Sequence, residues 1–270
     1  MYAFTFHRPE TLRQAVGLLT KHADAKLLAG GHTLLPTMKL RLASPPQLID
    51  LSRVEGLAGI ELKGRSLQIG AMTRHADVHD SPVVQEAIPV LAKLAGMIGD
   101  PAVRHMGTIG GSIANNDPNA DYPAACLGLG ATVITNKRRI AADDFFTGMF
   151  STALKPAEII TKVSFPIPKK AAYQKFRNQA SRYALVGVFV AKRGSDIRVA
   201  VTGAGANGVF RVKAFEEALQ KRFAPKSLEG MTIPADGMNS DIHGSAEYRA
   251  HLVGVLARRA VAEAVGKGEK

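Results

Sequence analysis

Two glycine pairs about 80 residues apart constrain this 270-residue chain more than anything else in it: Ala29-Gly30-Gly31-His32-Thr33 and Thr108-Ile109-Gly110-Gly111-Ser112. Each pair follows apolar residues and precedes a hydroxyl or imidazole side chain. A diphosphate is held best by several backbone N–H groups pointing into one concavity. Only residues without Cβ let the backbone turn through positive φ and come close to the oxygens. Hydroxyls at Thr33, Thr108 and Ser112 add neutral donors. Either pair alone reads as a turn; together they read as two backbone surfaces facing one phosphate-bearing ligand. Neither carries the Gly-Lys-Ser/Thr ending of a P-loop or the spacing of a Rossmann turn, so the usual nucleotide folds are not indicated.

The order of elements around the first pair supports this reading. Tyr2–His7 is β-prone, and Leu12, Ala15, Val16, Leu18 and Leu19 fall at helical spacing after Thr11. Lys26–Ala29 is a short apolar strand, Leu34–Leu42 is helix-like, and Gln47–Leu51 is a further strand. A strand, a glycine turn and a helix start aim free N–H groups at an anion. Residues 57–71 alternate as a hairpin about Gly64, and 73–79 and 82–97 have helical spacing. Tyr122–Leu129 is a further helix, Gly130–Thr135 and Arg138–Ala141 a hairpin, and Glu158–Phe165 a strand ending at Pro166 and Pro168. After Pro168 come three strands, Tyr173–Arg177, Ala184–Ala191 and Ile197–Gly203, and two helices, near Val212–Lys221 and Tyr248–Val265.

Composition narrows the classes. The longest strongly apolar run, Ala184–Ala191, is eight residues, far below the ~20 needed to cross a bilayer. No charged segment followed by an apolar one opens the chain, so the expectation is a cytoplasmic protein without a transmembrane segment. A single cysteine, Cys126, makes no internal disulfide and supplies no iron–sulfur site by itself. His75 and His79, with Asp77 and Asp80 nearby, lack a third spaced ligand and read as solvated helix residues. The formal charge is +12, with 17 basic and 14 acidic residues in 1–168 against 18 and 9 in 169–270. No nucleic-acid-binding motif accompanies that basic C-terminal part, which suits an anionic ligand or an acidic partner.

The chain resembles the flavoprotein (medium) subunits of the molybdenum hydroxylases, the family of aerobic carbon-monoxide dehydrogenase and xanthine dehydrogenase. The residues that carry the resemblance are Phe6-x-x-Pro9, Leu28-Ala-Gly-Gly-His-Thr33, Ile49-Asp50-Leu51, Ile69-Gly-Ala-Met-Thr73, Gly107-Thr-Ile-Gly-Gly-Ser-Ile-Ala114, Asp117-Pro118-x-x-Asp121-x-Pro123 and Glu158-Ile159-Ile160. They span nearly the whole chain. The resemblance implies an α+β fold: an FAD-binding domain of the PCMH type over residues 1–168, with subdomains of about 1–55 and 56–168, then a C-terminal domain over 169–270 with a three-stranded antiparallel sheet and helices.

It also implies a noncovalent FAD whose diphosphate lies between Leu28, Ala29, Gly30, Gly31, His32 and Thr33 on one side and Thr108, Gly110, Gly111, Ser112 and Ala114 on the other. Asp121 would reach a polar part of the cofactor, Ile160 would pack near the flavin or adenine, and Tyr183 would lie by the isoalloxazine. From the residues alone, Asp121 has the alternative reading of a helix N-cap, and Tyr183 reads equally as a strand residue with its hydroxyl at the surface. Molybdopterin and [2Fe-2S] clusters are expected on a large and a small partner subunit, in a dimer of heterotrimers that passes electrons to an external acceptor. Two alternatives stand beside this reading: a self-contained FAD oxidoreductase of the same fold, and a basic binding protein that has lost flavin.

Overall fold

Thr11 starts the first helix. Its hydroxyl accepts from the Gln14 N–H while the Gln14 side chain accepts from the Thr11 N–H, a capping box that fixes Leu12–Lys21 with Ala15 buried. That helix covers a sheet of three parallel strands in which Gln47–Asp50 lies between Thr5–His7 and Lys26–Leu28. The shared core is small: Ala15, Ala25, Ile49, Leu51, Val54, Leu57 and, from far along the chain, Ile159. The structure is a computed structural model and describes residues 1–266.

A second sheet has five antiparallel strands in the order Ile60–Lys63, Ser66–Gly70, Ile160–Pro166, Thr132–Thr135 and Arg139–Ala141. Helices His75–Asp80, Pro82–Ala87, Pro89–Gly96, Pro101–Met106, Ile109–Asn115 and Asp121–Leu129 belong with it. The helical spacing over 82–97 resolves into two helices, because a proline disfavours helical geometry in the residue before it. Ile88, which precedes Pro89, takes φ −142° and ψ 73°. Every residue of Asp121–Leu129 is buried.

The C-terminal sheet is antiparallel: Lys170–Arg177, Ala184–Arg193, Asp196–Thr202 and a fourth strand, Phe210–Arg211, at the edge beyond the three expected. Two residues are too few to show alternation in a sequence. The apolar run at Ala184–Ala191 exists because both faces of this sheet are covered. Val186, Val188 and Val190 pack with Phe215, Leu219, Val253 and Val261 from helices Lys213–Lys221 and Ala246–Ala264. Phe189 and Ala191 face the other way, into the core built around Asp121–Leu129. At Gly128 a Cβ would lie 2.5 Å from the Phe189 ring. No helix among the described residues is long and apolar enough to cross a membrane.

A buried polar cluster joins the C-terminal sheet to the rest. Asp121 accepts from the Tyr173 hydroxyl at 2.5 Å and from Lys175 Nζ at 2.9 Å, and Lys175 also donates to Met97 O at 3.1 Å. Burial raises the Asp121 carboxyl and Lys175 opposes that rise. The Lys175 side chain has no exposed surface. Replacing one partner of such a pair strands the other charge. Lys175→Met is expected to destabilise the protein by about 3–5 kcal/mol in urea titration. The double change Lys175→Met with Asp121→Asn should recover much of that loss.

Candidate functional site

Between the parallel sheet and the five-stranded sheet lies a cleft of about 690 Å³, within the range of small-molecule and cofactor sites. Leu28, Ala29, Gly30, Gly31, His32, Thr33, Thr108, Gly110, Gly111, Ser112, Ala114, Asp121, Ile160 and Tyr183 all line it. The sequence scatters these residues over more than half the chain; the fold brings every one to the same cavity.

The first glycine stretch leaves the end of strand Lys26–Leu28 and leads into helix Leu34–Lys39. Gly31 has φ +73°, and a Cβ at Gly30 would sit 2.1 Å from Met106 O and 2.7 Å from Gly107 Cα. Glycine is required at both positions, by conformation at one and by close approach at the other. Among the described residues, the amides of Gly30, Gly31, His32 and Thr33 have no hydrogen-bond partner within the protein. Thr33 stands at the N-cap of the helix, yet its hydroxyl makes no capping bond. Consecutive unpaired donors at a cleft wall are an anion-binding surface.

The second stretch is built differently from the expected loop. Residues Ile109–Asn115 are a helix capped by Thr108, whose Oγ1 accepts from the Gly111 N–H at 3.1 Å. The amides of Ile109, Gly110 and Ser112 are bonded to Thr73 O, Ala71 O and Thr108 O. This stretch therefore offers hydroxyls and close contact rather than free N–H groups. Gly110 is glycine because a Cβ there would lie 2.6 Å from Ala71 Cβ and 2.7 Å from Ala71 O. At Gly111 the added Cβ would meet the Thr108 Oγ1 at 2.9 Å.

Asp121 lines the cleft but is not the N-cap: Ala120 holds that position without a side-chain bond, and the Asp121 carboxylate is taken by Tyr173 and Lys175. The rest of the Asp117-Pro118-x-x-Asp121 turn is also engaged with the C-terminal sheet. Pro118 O accepts from the Gly203 N–H at 2.8 Å and the Thr202 hydroxyl at 2.9 Å. Glu158 is likewise saturated, by Arg138, Thr135 Oγ1 and the Lys155 amide, and the Arg138 guanidinium holds its carboxyl down to about 2. Its salt bridge fixes the wall that carries Ile160, which is buried. Tyr183 is half-exposed and, with Ser181 and Arg182, is the only contribution of the C-terminal sheet region to the cleft among the described residues.

Sequence reasoning missed His75. Read as a solvated helix residue, it is 4% exposed and lines the cleft. Burial first, then the charges of His32 and Arg104, lowers its imidazole to about 4. His79 is partly exposed and bonds Ala92 O. The one available signal was position, since His75 stands two residues beyond Ile69-Gly-Ala-Met-Thr73. Ile98, Val103 and Leu154 form apolar lining that no motif marked. Cys126 is buried, which pushes its thiol up.

Residues 2–168 match the family described as FAD binding domain in molybdopterin dehydrogenase, and residues 171–264 match CO dehydrogenase flavoprotein C-terminal domain. The carbon monoxide dehydrogenase medium chain of Hydrogenophaga pseudoflava is 36% identical over 96% of each chain. The nicotine 6-hydroxylase medium subunit of Paenarthrobacter nicotinovorans is 37% identical over 97% of each. The solved carbon monoxide dehydrogenase from Hydrogenophaga pseudoflava that lacks the Mo-pyranopterin moiety superposes with a TM-score of 0.88 at 35% identity, covering 99% of both chains.

Gly30→Ala and Gly110→Ala force backbone apart and should lower the thermal midpoint sharply, whereas Gly111→Ala disturbs a cap worth about 1 kcal/mol. Acid should also weaken the fold in two stages. His75 holds fewer protons folded than unfolded between its ordinary 6.5 and about 4, and Glu158 does so between 4.5 and about 2. Both make stability fall as pH is lowered. Urea midpoints measured from pH 7 to pH 3 should decline, with the first limb absent in His75→Leu.

Proposed function

The chain belongs to the FAD-binding medium-chain family of molybdopterin dehydrogenases, and from that we propose that it is the flavoprotein subunit of a molybdenum hydroxylase complex. In this reading a large molybdopterin subunit oxidises the substrate, a small subunit relays electrons through [2Fe-2S] clusters, and this chain delivers them to an external acceptor. The assembly is a dimer of heterotrimers in the cytoplasm. Residues 1–168 form the FAD-binding domain, with subdomains of about 1–55 and 56–168, and 169–270 form a C-terminal domain.

The observation that carries the proposal is the run of four unpaired amides, Gly30 to Thr33, on a cleft that also presents a set of apolar side chains. Those donors suit a diphosphate, and Leu28, Ala29, Ala114, Ile159 and Ile160 suit flat aromatic rings. Bound FAD supplies a centre that takes electrons singly, holds two and passes them on. The chain's own residues bind and orient. Hydroxyls of Thr33, Thr108 and Ser112 add to the amides of the first stretch, and Tyr183 stands where the C-terminal sheet meets the cleft. Asp121 acts through Tyr173 and Lys175, holding the wall rather than reaching the cofactor. No acid, base or nucleophile on this chain acts on the primary substrate. Relatives of nearly equal identity are named for carbon monoxide and for nicotine, which agrees with a substrate choice made on another subunit.

The test is direct. The protein purified with its partners should be yellow, should carry molybdenum and iron, and should release its flavin into the supernatant on acid precipitation, as a noncovalent cofactor does. Gly30→Ala should abolish flavin retention. A colourless protein that takes up no FAD on reconstitution overturns the proposal.

A further inference from the structure

His75 is the unexplained group in the cleft. Its side chain is buried, its Nδ1 has no hydrogen-bond partner, and no bond to Nε2 is made by any described residue. A buried polar atom without a partner costs free energy unless water or a ligand satisfies it. Nδ1 is closed off from the cavity, whereas Nε2 is unpartnered and still accessible, so Nε2 is the nitrogen that a ligand entering the cavity can reach.

Its place in the fold says what that is. His75 N donates to Gly107 O at 2.9 Å, and the segment before it is bonded to the second glycine stretch through Thr73 O and Ala71 O. The ring lies under that stretch, so closely that a Cβ at Gly107 would stand 2.5 Å from Nε2. Gly30 also comes close to Gly107, a Cβ at Gly30 lying 2.7 Å from Gly107 Cα, and His32 is near enough for its charge to act on His75. The imidazole thus sits at the seam where the two glycine stretches meet. The second stretch has few free amides to offer there, so donors on that side must come from side chains.

We propose that His75 is a binding residue for the diphosphate of the bound dinucleotide, donating a ring N–H to it from the side of the second glycine stretch. This rests on the reading of the cleft as an FAD site. The groups whose charge bears on the imidazole are His32 and Arg104, both cationic when charged, and Tyr122, whose ring packs at 5.4 Å, adds none. The free imidazole is neutral at pH 7, with one N–H to give and no protein acceptor to receive it.

The experiment compares the wild type, His75→Leu and His75→Gln, each purified as the wild type is. FAD affinity is read by fluorescence titration of the flavin-stripped protein, and the diphosphate by 31P NMR of the reloaded one. His75→Leu should bind FAD about 10- to 100-fold more weakly, the loss of a hydrogen bond to a charged group. Its flavin-free form should melt no lower than wild type, because the change removes a buried group with unpaired nitrogens. A merely structural residue would show the opposite: lower stability and unaltered affinity for what folds. His75→Gln, which keeps an amide donor, should bind within a few-fold of wild type with displaced 31P resonances and an unchanged visible flavin spectrum. Wild-type affinity in His75→Leu overturns the proposal. Should that variant not fold, unshifted 31P resonances in His75→Gln do so. A wild-type protein that binds no FAD instead overturns the reading of the cleft itself.

Discussion

The whole cleft depends on one backbone-to-backbone contact, the approach of Gly30 to Met106 and Gly107. A Cβ at Gly30 would lie within 2.1 Å of a carbonyl oxygen, well inside any tolerable distance. The parallel sheet is therefore docked on the rest of the molecule through main chain as well as through the side-chain core it shares with Leu57 and Ile159. Two other glycines repeat the device close by: Gly70 against Leu57 O and Gly110 against Ala71 O. Because steric fit fixes the position of the 30–33 stretch, its amides need no intramolecular hydrogen bonds to hold their place, and they remain free to serve a ligand. Where hydrogen bonds do the fixing, as in the second stretch, the amides are used up in the fold.

The opposite wall is held by polar groups. The Asp117–Asp121 turn gives its carbonyls to Thr202 and Gly203 and its terminal carboxylate to Tyr173 and Lys175. Those partners belong to the C-terminal sheet or, for Gly203, directly follow its third strand, and the sheet also buries Phe189 against the helix that begins at Asp121. That sheet contributes few atoms to the cleft, yet it sets the position of one side of it. Arg249, buried within the same unit, bonds Leu185 O and Gly203 O, and so ties the end of the sheet that carries Gly203 to the long helix Ala246–Ala264. Rigidity of the cleft thus runs through the C-terminal unit to its outermost helix.

Much of this was legible in the sequence, and the limits have physical causes. Glycine pairs in an apolar context announce close approach, and the strands and helices that frame them follow period-2 and period-3.6 patterns that burial imposes. The sequence could not show which pair keeps its amides free. Thr108 caps a helix and Thr33 does not, although both are threonines beside glycines, because the difference lies in backbone angles set by neighbours far along the chain. The Asp117-Pro118-x-x-Asp121 motif marks residues that line the cleft, but it could not show that Tyr173 and Lys175, more than 50 residues away, engage the Asp121 carboxylate. His75 was hidden for the same reason: its burial is made by Gly107 and Tyr122, which no local pattern places over it.

The chain's net charge of +12 is not what equips the cleft for an anion. The two most deeply engaged acids on its wall, Asp121 and Glu158, are matched by Lys175 and Arg138, so each contributes little net field. Beside Lys26, Asp117 and Arg182, which line the cleft without an ion pair among the described residues, stands a set of neutral dipoles: the amides of 30–33 and the hydroxyls of Thr33 and Ser112. Preorganised dipoles in a partly buried site hold an anion without the reorganisation that water would need. They also act over short range, so they grip one end of a long ligand without imposing a formal charge on the other. A cofactor whose diphosphate must be held firmly and whose ring must change its electron count is well served by that separation. Apart from Arg182, the basic residues of 169–266 do not line the cleft.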